Sequence, residues 1–165
     1  MKIFSFIAAS SKSGKTTLIE KIVAILKARG LRVAVIKHAS KGFDLDRPGK
    51  DSWRFREAGA DEVVLVGPRS MAVMRTLDHH PDPEEVLSDV SADIVLLEGF
   101  KNSAMNKIEV FRTGVSAEQP LCLSDNSFLA LASDRPFNLP IPVFDLNDAE
   151  GVARFLLDRR FISED

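Results

Sequence analysis

The chain has 165 residues, 45% of them apolar, with 22 Lys and Arg against 24 Asp and Glu. The resulting net charge of −2 argues against a general nucleic-acid binder, which needs a basic face to displace counterions. One cysteine, Cys122, excludes an intramolecular disulfide and a thiolate-only metal cage, and no apolar run reaches the ~18 residues of a membrane helix. These bounds lead us to expect one domain over residues 1–165 of a cytoplasmic protein, with no nucleic-acid and no membrane partner.

The first element is a short apolar run, Ile3 to Ala8, which reads as a buried strand and is too short for a signal-peptide core. Ser10 to Thr17 is small and polar, a loop. From Thr16 to Arg29, Leu18, Ile19, Ile22, Val23 and Leu26 recur at helical spacing, and Gly30 closes the helix. Arg32 to Lys37 is a second buried strand. His38 to Lys50 is long for a plain connection, a length that favours a functional loop. Ser52 to Ala58 is a short helix closed by Gly59, with Asp51 or Ser52 as its cap. Glu62 to Val66 and Met71 to Thr76 are strands with no crossover helix between them, so an antiparallel pair is expected there. Asp82 to Ser88 is a short helix, and Asp93 to Glu98 a strand buried on both faces. Lys107 to Phe111, Phe128 to Ala132 and Pro142 to Phe144 are further strands. Asn147 or Asp148 caps a last helix that runs to about Arg160. Alternation of this kind predicts an α/β fold, a mostly parallel sheet with helices on both faces.

The chemistry concentrates in Ala9-Ser10-Ser11-Lys12-Ser13-Gly14-Lys15-Thr16-Thr17. A bare Gly-Lys-Thr is a weak signal; a strand before it and an amphipathic helix after it make it a phosphate loop. Gly14 lets successive N–H groups turn toward phosphate oxygens. Lys15 supplies a point charge, and Thr16 opens a helix whose N-terminus favours anions and offers a hydroxyl to Mg²⁺. Ser11, Lys12, Ser13 and Thr17 complete the candidate phosphate contacts. Ala9 replaces the usual glycine, which is tolerable where φ stays negative, and Lys12 stands where such loops often have glycine.

A magnesium nucleotide also needs a carboxylate at the same edge of the sheet. Asp93 and Glu98 bound one strand, about 16 Å apart when extended. Ligands sit at the carboxyl ends of parallel strands, so Glu98 is chosen over Asp93. Asp44, Asp46 and Asp51 in or beside the long loop are further candidates, with Asp44 taken as the third metal ligand. Asp134 comes just after another strand at this edge, and a carboxylate there suits the paired donors of guanine. His79 and His80 read as a solvated turn, and Cys122 as a packed thiol.

Taken together, Ser13 to Leu18, Val35-Ile36-Lys37-His38, Gly49-Lys50-Asp51-Ser52, Ala58-Gly59-Ala60, Leu97-Glu98-Gly99-Phe100-Lys101 and Lys107-Ile108-Glu109 resemble the MobB family of molybdopterin-guanine dinucleotide biosynthesis adapters. The resemblance implies a homodimeric GTP-binding protein of the three-layer P-loop NTPase type, with at most slow GTP hydrolysis. It would assist the guanylyltransferase that attaches GMP to molybdopterin, with molybdopterin or its acceptor enzymes as further partners. It also implies that Gly14, Lys15, Thr16 and Thr17 hold phosphates and Mg²⁺ and that Glu98 takes the acidic role. The Asn-Lys-x-Asp guanine motif of other GTPases is absent. Two other readings compete: a small phosphotransferase using Mg-NTP, with Arg47 to Arg56 as a lid, and a metal-delivery GTPase, which should show a Cys/His pair.

Overall fold

In the computed structural model the described residues are 1–43, 45–101, 105–116 and 118–158. They cluster into two compact units, residues 1–38 with 87–165, and residues 39–86.

The larger unit is built on a six-stranded sheet: β1 (Lys2–Ile7), β2 (Val33–Lys37), β5 (Ile94–Glu98), β6 (Asn106–Phe111), β7 (Phe128–Ser133) and β8 (Val143–Asp145). The order is β2-β5-β1-β6-β7-β8, and every pairing is parallel. The first strand therefore lies in the middle, with Phe4 opposite Leu96 on one side and Asn106 on the other. This is why β1 and β5 read as largely apolar runs: both faces are covered. Ile94 and Leu96 enter one core with Phe4, Phe6 and Ile108, while Val95 and Leu97 enter a second with Leu87 and Ala92.

Helix α1 (Lys15–Ala28) buries Leu18, Ile19, Ile22 and Leu26 in the first core, each worth about 2 kcal/mol of transfer free energy. Beside it, α4 (Ala149–Leu157) buries Val152, Ala153 and Leu156, and Arg29 forms an ion pair with Glu150 between the two helices. Asp148 is the cap of α4, accepting from the Gly151 N–H at 2.8 Å. At the other end of α4 the Lys2 ammonium donates to the carbonyls of Leu156, Leu157 and Asp158 at 3.3, 2.9 and 2.9 Å, which satisfies its last orphan acceptors. Residues 159 and 160, the expected end of this helix, lie outside the described set.

The smaller unit holds α2 (Asp51–Glu57), the antiparallel strands β3 (Glu62–Val66) and β4 (Met71–Arg75), and the start of α3 (Pro83–Ser88). The expected antiparallel pair is thus present as a separate two-stranded ribbon. Val64 faces Val73 and Val66 faces Met71 across it, and all four side chains are exposed. The expected cap of α2 differs. Lys50 occupies the cap position without a side-chain bond, Asp51 begins the helix and pairs with Arg54, and the Ser52 hydroxyl donates to Asp46 at 2.9 Å.

Among the described residues no helix is long and apolar enough to cross a membrane. One turn had no sequence signal: a 3₁₀ segment, Leu121–Leu123, whose Leu121 and Cys122 N–H groups donate to the buried Glu109 carboxylate at 2.8 and 2.9 Å. Burial, with Glu109 alongside, pushes the Cys122 thiol up to about 12, so it is protonated and unreactive at neutral pH.

Candidate functional site

The loop from Ala8 to Gly14 leaves the carboxyl end of the central strand β1 and enters α1 directly. Gly14 stands at the helix start with φ 97°, a conformation open to glycine at no steric cost. Lys12 takes φ 64°, one of two left-handed non-glycine residues among those described. Its position therefore wants a glycine, and the lysine holds it at a cost of about 1 kcal/mol. Ala9 is not among the left-handed residues, so the missing glycine is harmless to the local backbone.

Two charged groups at this edge arrive by the same geometry: parallel strands end together, and Glu98 and Lys37 are the last ladder residues of their strands. Glu98 ends β5, which pairs with β1 on one side and β2 on the other. Its Oε1 accepts from the Thr16 hydroxyl at 2.9 Å, and its Oε2 lies 3.6 Å from the Lys37 ammonium at the end of β2. Asp93 sits at the opposite edge, held by Arg32. Gly99 and Phe100 come next after Glu98, with φ 101° and 60°; a Cβ on Gly99 would stand 3.1 Å from that of His38, so glycine is required for this turn. The buried Ser5 hydroxyl pins the turn by donating to the Gly99 carbonyl at 2.6 Å.

Lys15 folds back on its own loop, its ammonium 3.5 Å from the Ser10 carbonyl and 3.4 Å from the Ser13 hydroxyl. Its pKa is lowered mainly by burial; Glu98 opposes the shift, and the Lys101 and Lys37 charges add to it. Lys101 donates to the Ala9 carbonyl at 3.3 Å. Lys37 and Lys101 thus both bear on Lys15 beside the Glu98 carboxylate, an excess of positive charge matched to a polyanion. Ser11, Lys12, Thr16 and Thr17 are exposed, and Ser13 is buried within the loop.

The Thr16 hydroxyl and Glu98 carboxylate fit a hard cation. Mg²⁺ takes few protein ligands and completes its shell with water and phosphate, so two such oxygens suffice. Asp44 lies outside the described residues. Asp134 is placed at the end of β7, where its carboxylate accepts from the Thr113 N–H at 3.0 and 3.1 Å and from the Thr113 hydroxyl at 3.0 Å. The Thr113 N–H chiefly holds the Asp134 pKa down; burial opposes it, and the Thr113 hydroxyl adds to the lowering. His79 pairs locally with Glu85 at 3.0 Å.

Lys37, at the end of the second strand, is expected at this edge, Lys101 is visible in the sequence only as part of a motif, and Arg112 is absent from the expected site. Arg112 comes directly after β6, so the strand-end rule that selects Glu98 selects it too. Its Nε donates to the Ser13 carbonyl at 3.4 Å.

Comparison with known proteins places this geometry. The family model for molybdopterin guanine dinucleotide synthesis protein B matches residues 3–134. The molybdopterin-guanine dinucleotide biosynthesis adapter protein of Escherichia coli (strain K12) is 38% identical over 159 residues, 92% of this chain and 89% of that protein. Its counterpart from Haemophilus influenzae is 37% identical over 158 residues, 91% of this chain and 85% of that protein. A crystal structure of molybdopterin-guanine biosynthesis protein B superposes with a TM-score of 0.74 at 28% identity, covering 94% of this chain and 97% of that one. The fold is accordingly the α/β, P-loop NTPase-like arrangement expected, and the chain belongs to the MobB family.

Proposed function

We propose that residues 1–165 work as one GTP-binding adapter in molybdopterin guanine dinucleotide biosynthesis, assisting the enzyme that transfers GMP to molybdopterin, with at most slow GTP hydrolysis. The observation that carries the nucleotide reading is the convergence of Lys15, Thr16, Glu98, Lys37 and Lys101 on the loop after β1. In this reading the amides of Ser11 to Thr17 cradle the phosphates, Lys15 neutralises the outer ones, and Thr16 with Glu98 holds Mg²⁺. Family membership supports the adapter role and a cytoplasmic setting. A homodimer is supported by the ribbon β3–β4: a two-stranded sheet is marginal alone, and Val64, Val66, Met71 and Val73 form one exposed apolar face for a second copy to cover.

Calorimetry with GTP and ATP, each with Mg²⁺ and with EDTA, tests the site. Saturable Mg²⁺-dependent heat with GTP preferred over ATP is expected. Absence of a saturable signal with both nucleotides at millimolar concentration overturns the proposal. Sedimentation equilibrium tests the dimer, which a monomer mass at high concentration removes. Retention of a GMP-transferring partner only when GTP is present is the result expected for the adapter role.

A further inference from the structure

The mouth of the phosphate loop faces β5, but its back is held from the other side. Strand β6 ends at Phe111 and β7 at Ser133, and these two residues are in register. Beyond β6 the chain makes a tight turn, Arg112 to Ser116. The Val115 and Ser116 N–H groups donate to the Arg112 carbonyl at 3.3 and 2.9 Å, the Arg112 N–H donates to the Ser116 hydroxyl at 3.1 Å, and Gly114 takes φ 75°.

This turn grips the loop at two separate places. The Ser10 hydroxyl donates to the Val115 carbonyl at 2.6 Å. The Arg112 guanidinium donates to the Ser13 carbonyl, and its terminal nitrogen stands 3.1 Å from where a Cβ on Gly14 would be, a tight contact. A trans peptide unit points its C=O and N–H in opposite directions. Holding the Ser13 carbonyl against Arg112 therefore aims the Gly14 N–H away from Arg112. The turn is itself fixed to the end of β7 by the Asp134 carboxylate, which takes both the N–H and the hydroxyl of Thr113.

We propose that the turn Arg112–Ser116, anchored by Asp134, holds the phosphate loop in its anion-binding shape, so that Asp134 is a positioning residue for the triphosphate tail and does not act through the base. The chain of contacts runs from Asp134 to Thr113, from the neighbouring Arg112 to Ser13 and Gly14, and from Val115 to Ser10. All of its members lie at the ends of β6 and β7 or in the loop itself. The inference rests on the phosphate-binding reading of that loop.

The test is calorimetry of the full chain at low temperature with three Mg²⁺ complexes: GTP, ATP and inorganic tripolyphosphate, the last having no base. Asp134→Ala is expected to weaken all three by a common factor of about tenfold, leaving the GTP-to-ATP ratio within about twofold. Arg112→Ala should lose at least as much, and adding Asp134→Ala to it should cost little more, because the two act in series. Thr113→Val should lose about threefold, and Thr113→Ser should restore the wild-type value. A residue that supports only the fold would lower the melting temperature and leave tripolyphosphate affinity per folded molecule unchanged. That result, in Thr113→Val and Arg112→Lys as well as in the alanine variants, overturns the proposal. Loss confined to GTP in Asp134→Ala also overturns it and makes Asp134 a base reader. Wild-type protein that binds none of the three ligands fails the phosphate-binding reading itself, and the positioning role falls with it.

Discussion

The two ends of strand β5 carry the same kind of group in opposite settings. At its start Asp93 accepts from the Arg32 guanidinium at 2.9 and 3.3 Å and from the Arg32 N–H at 2.7 Å. One acid meets one base, and the fork of the guanidinium is filled. The hydrogen bonds from the Arg32 side chain, then its backbone, hold the Asp93 pKa below the usual carboxylate range. At its other end Glu98 is shared between Thr16 and Lys37, with Lys15 close enough to feel its charge. The first arrangement is closed and complete. The second leaves positive charge over, beside N–H groups at a helix start, and a surplus of that sign is useful only to an incoming anion.

The strongest way to break this contrast is to remove the surplus at its centre. Lys15→Ala should lower GTP affinity about 100-fold, read by calorimetry, while far-UV circular dichroism stays unchanged. Next in size, Glu98→Gln should cut the gain in GTP affinity on adding Mg²⁺ about tenfold and leave Mg²⁺-free binding no weaker. Asp93→Asn should leave both unchanged, and a shift in nucleotide affinity there would merge the two ends into one site.

The same contrast has a pH signature. Because Asp93 is depressed in the folded state, its stabilisation is present at neutral pH and lost as pH falls through the depressed value. Denaturation midpoints of wild type and Asp93→Asn should therefore differ at pH 7 and converge in acid. Lys15 runs the other way. Its lowered pKa means that the ammonium a phosphate needs is lost sooner on the alkaline side than an ordinary lysine would allow. GTP affinity should fall as pH rises into that range, and Lys15→Arg should flatten the decline. The smallest effect is expected from Lys12→Gly. Relief of the left-handed strain, about 1 kcal/mol, is offset in part by the flexibility glycine adds to the unfolded chain, for a net gain of about 0.5 kcal/mol by chemical denaturation.

Much of this was legible without coordinates. The apolar runs became strands because both faces of β1 and β5 are covered, and the choice of Glu98 over Asp93 needed only the direction of a parallel strand. The antiparallel ribbon showed itself through the lack of a crossover helix. What stayed hidden depends on strand order. Nothing in the order of the chain says that β1 lies between β5 and β6, so even where the strand-end rule reaches Arg112, its partner Ser13 stays hidden, as does the pairing of Lys101 with Ala9. Asp134 stands out as a strand-end carboxylate, but its partner Thr113 is 21 residues away in the turn after another strand. Glu109 looked like an ordinary strand position and proved to be the buried acceptor for a 3₁₀ turn.

The central place of β1 also bears on how the molecule is made. Both ladder partners of this strand, β5 and β6, are translated about 90 and 100 residues after it. A ribosome therefore extrudes Phe4, Phe6 and Ile7 long before the strands that will flank them exist, and such distant pairings slow folding. Nascent chains arrested before residue 94 should accordingly be protease-sensitive through this first segment, bind a trigger-type chaperone there, and gain protection as one step once β6 has cleared the exit tunnel.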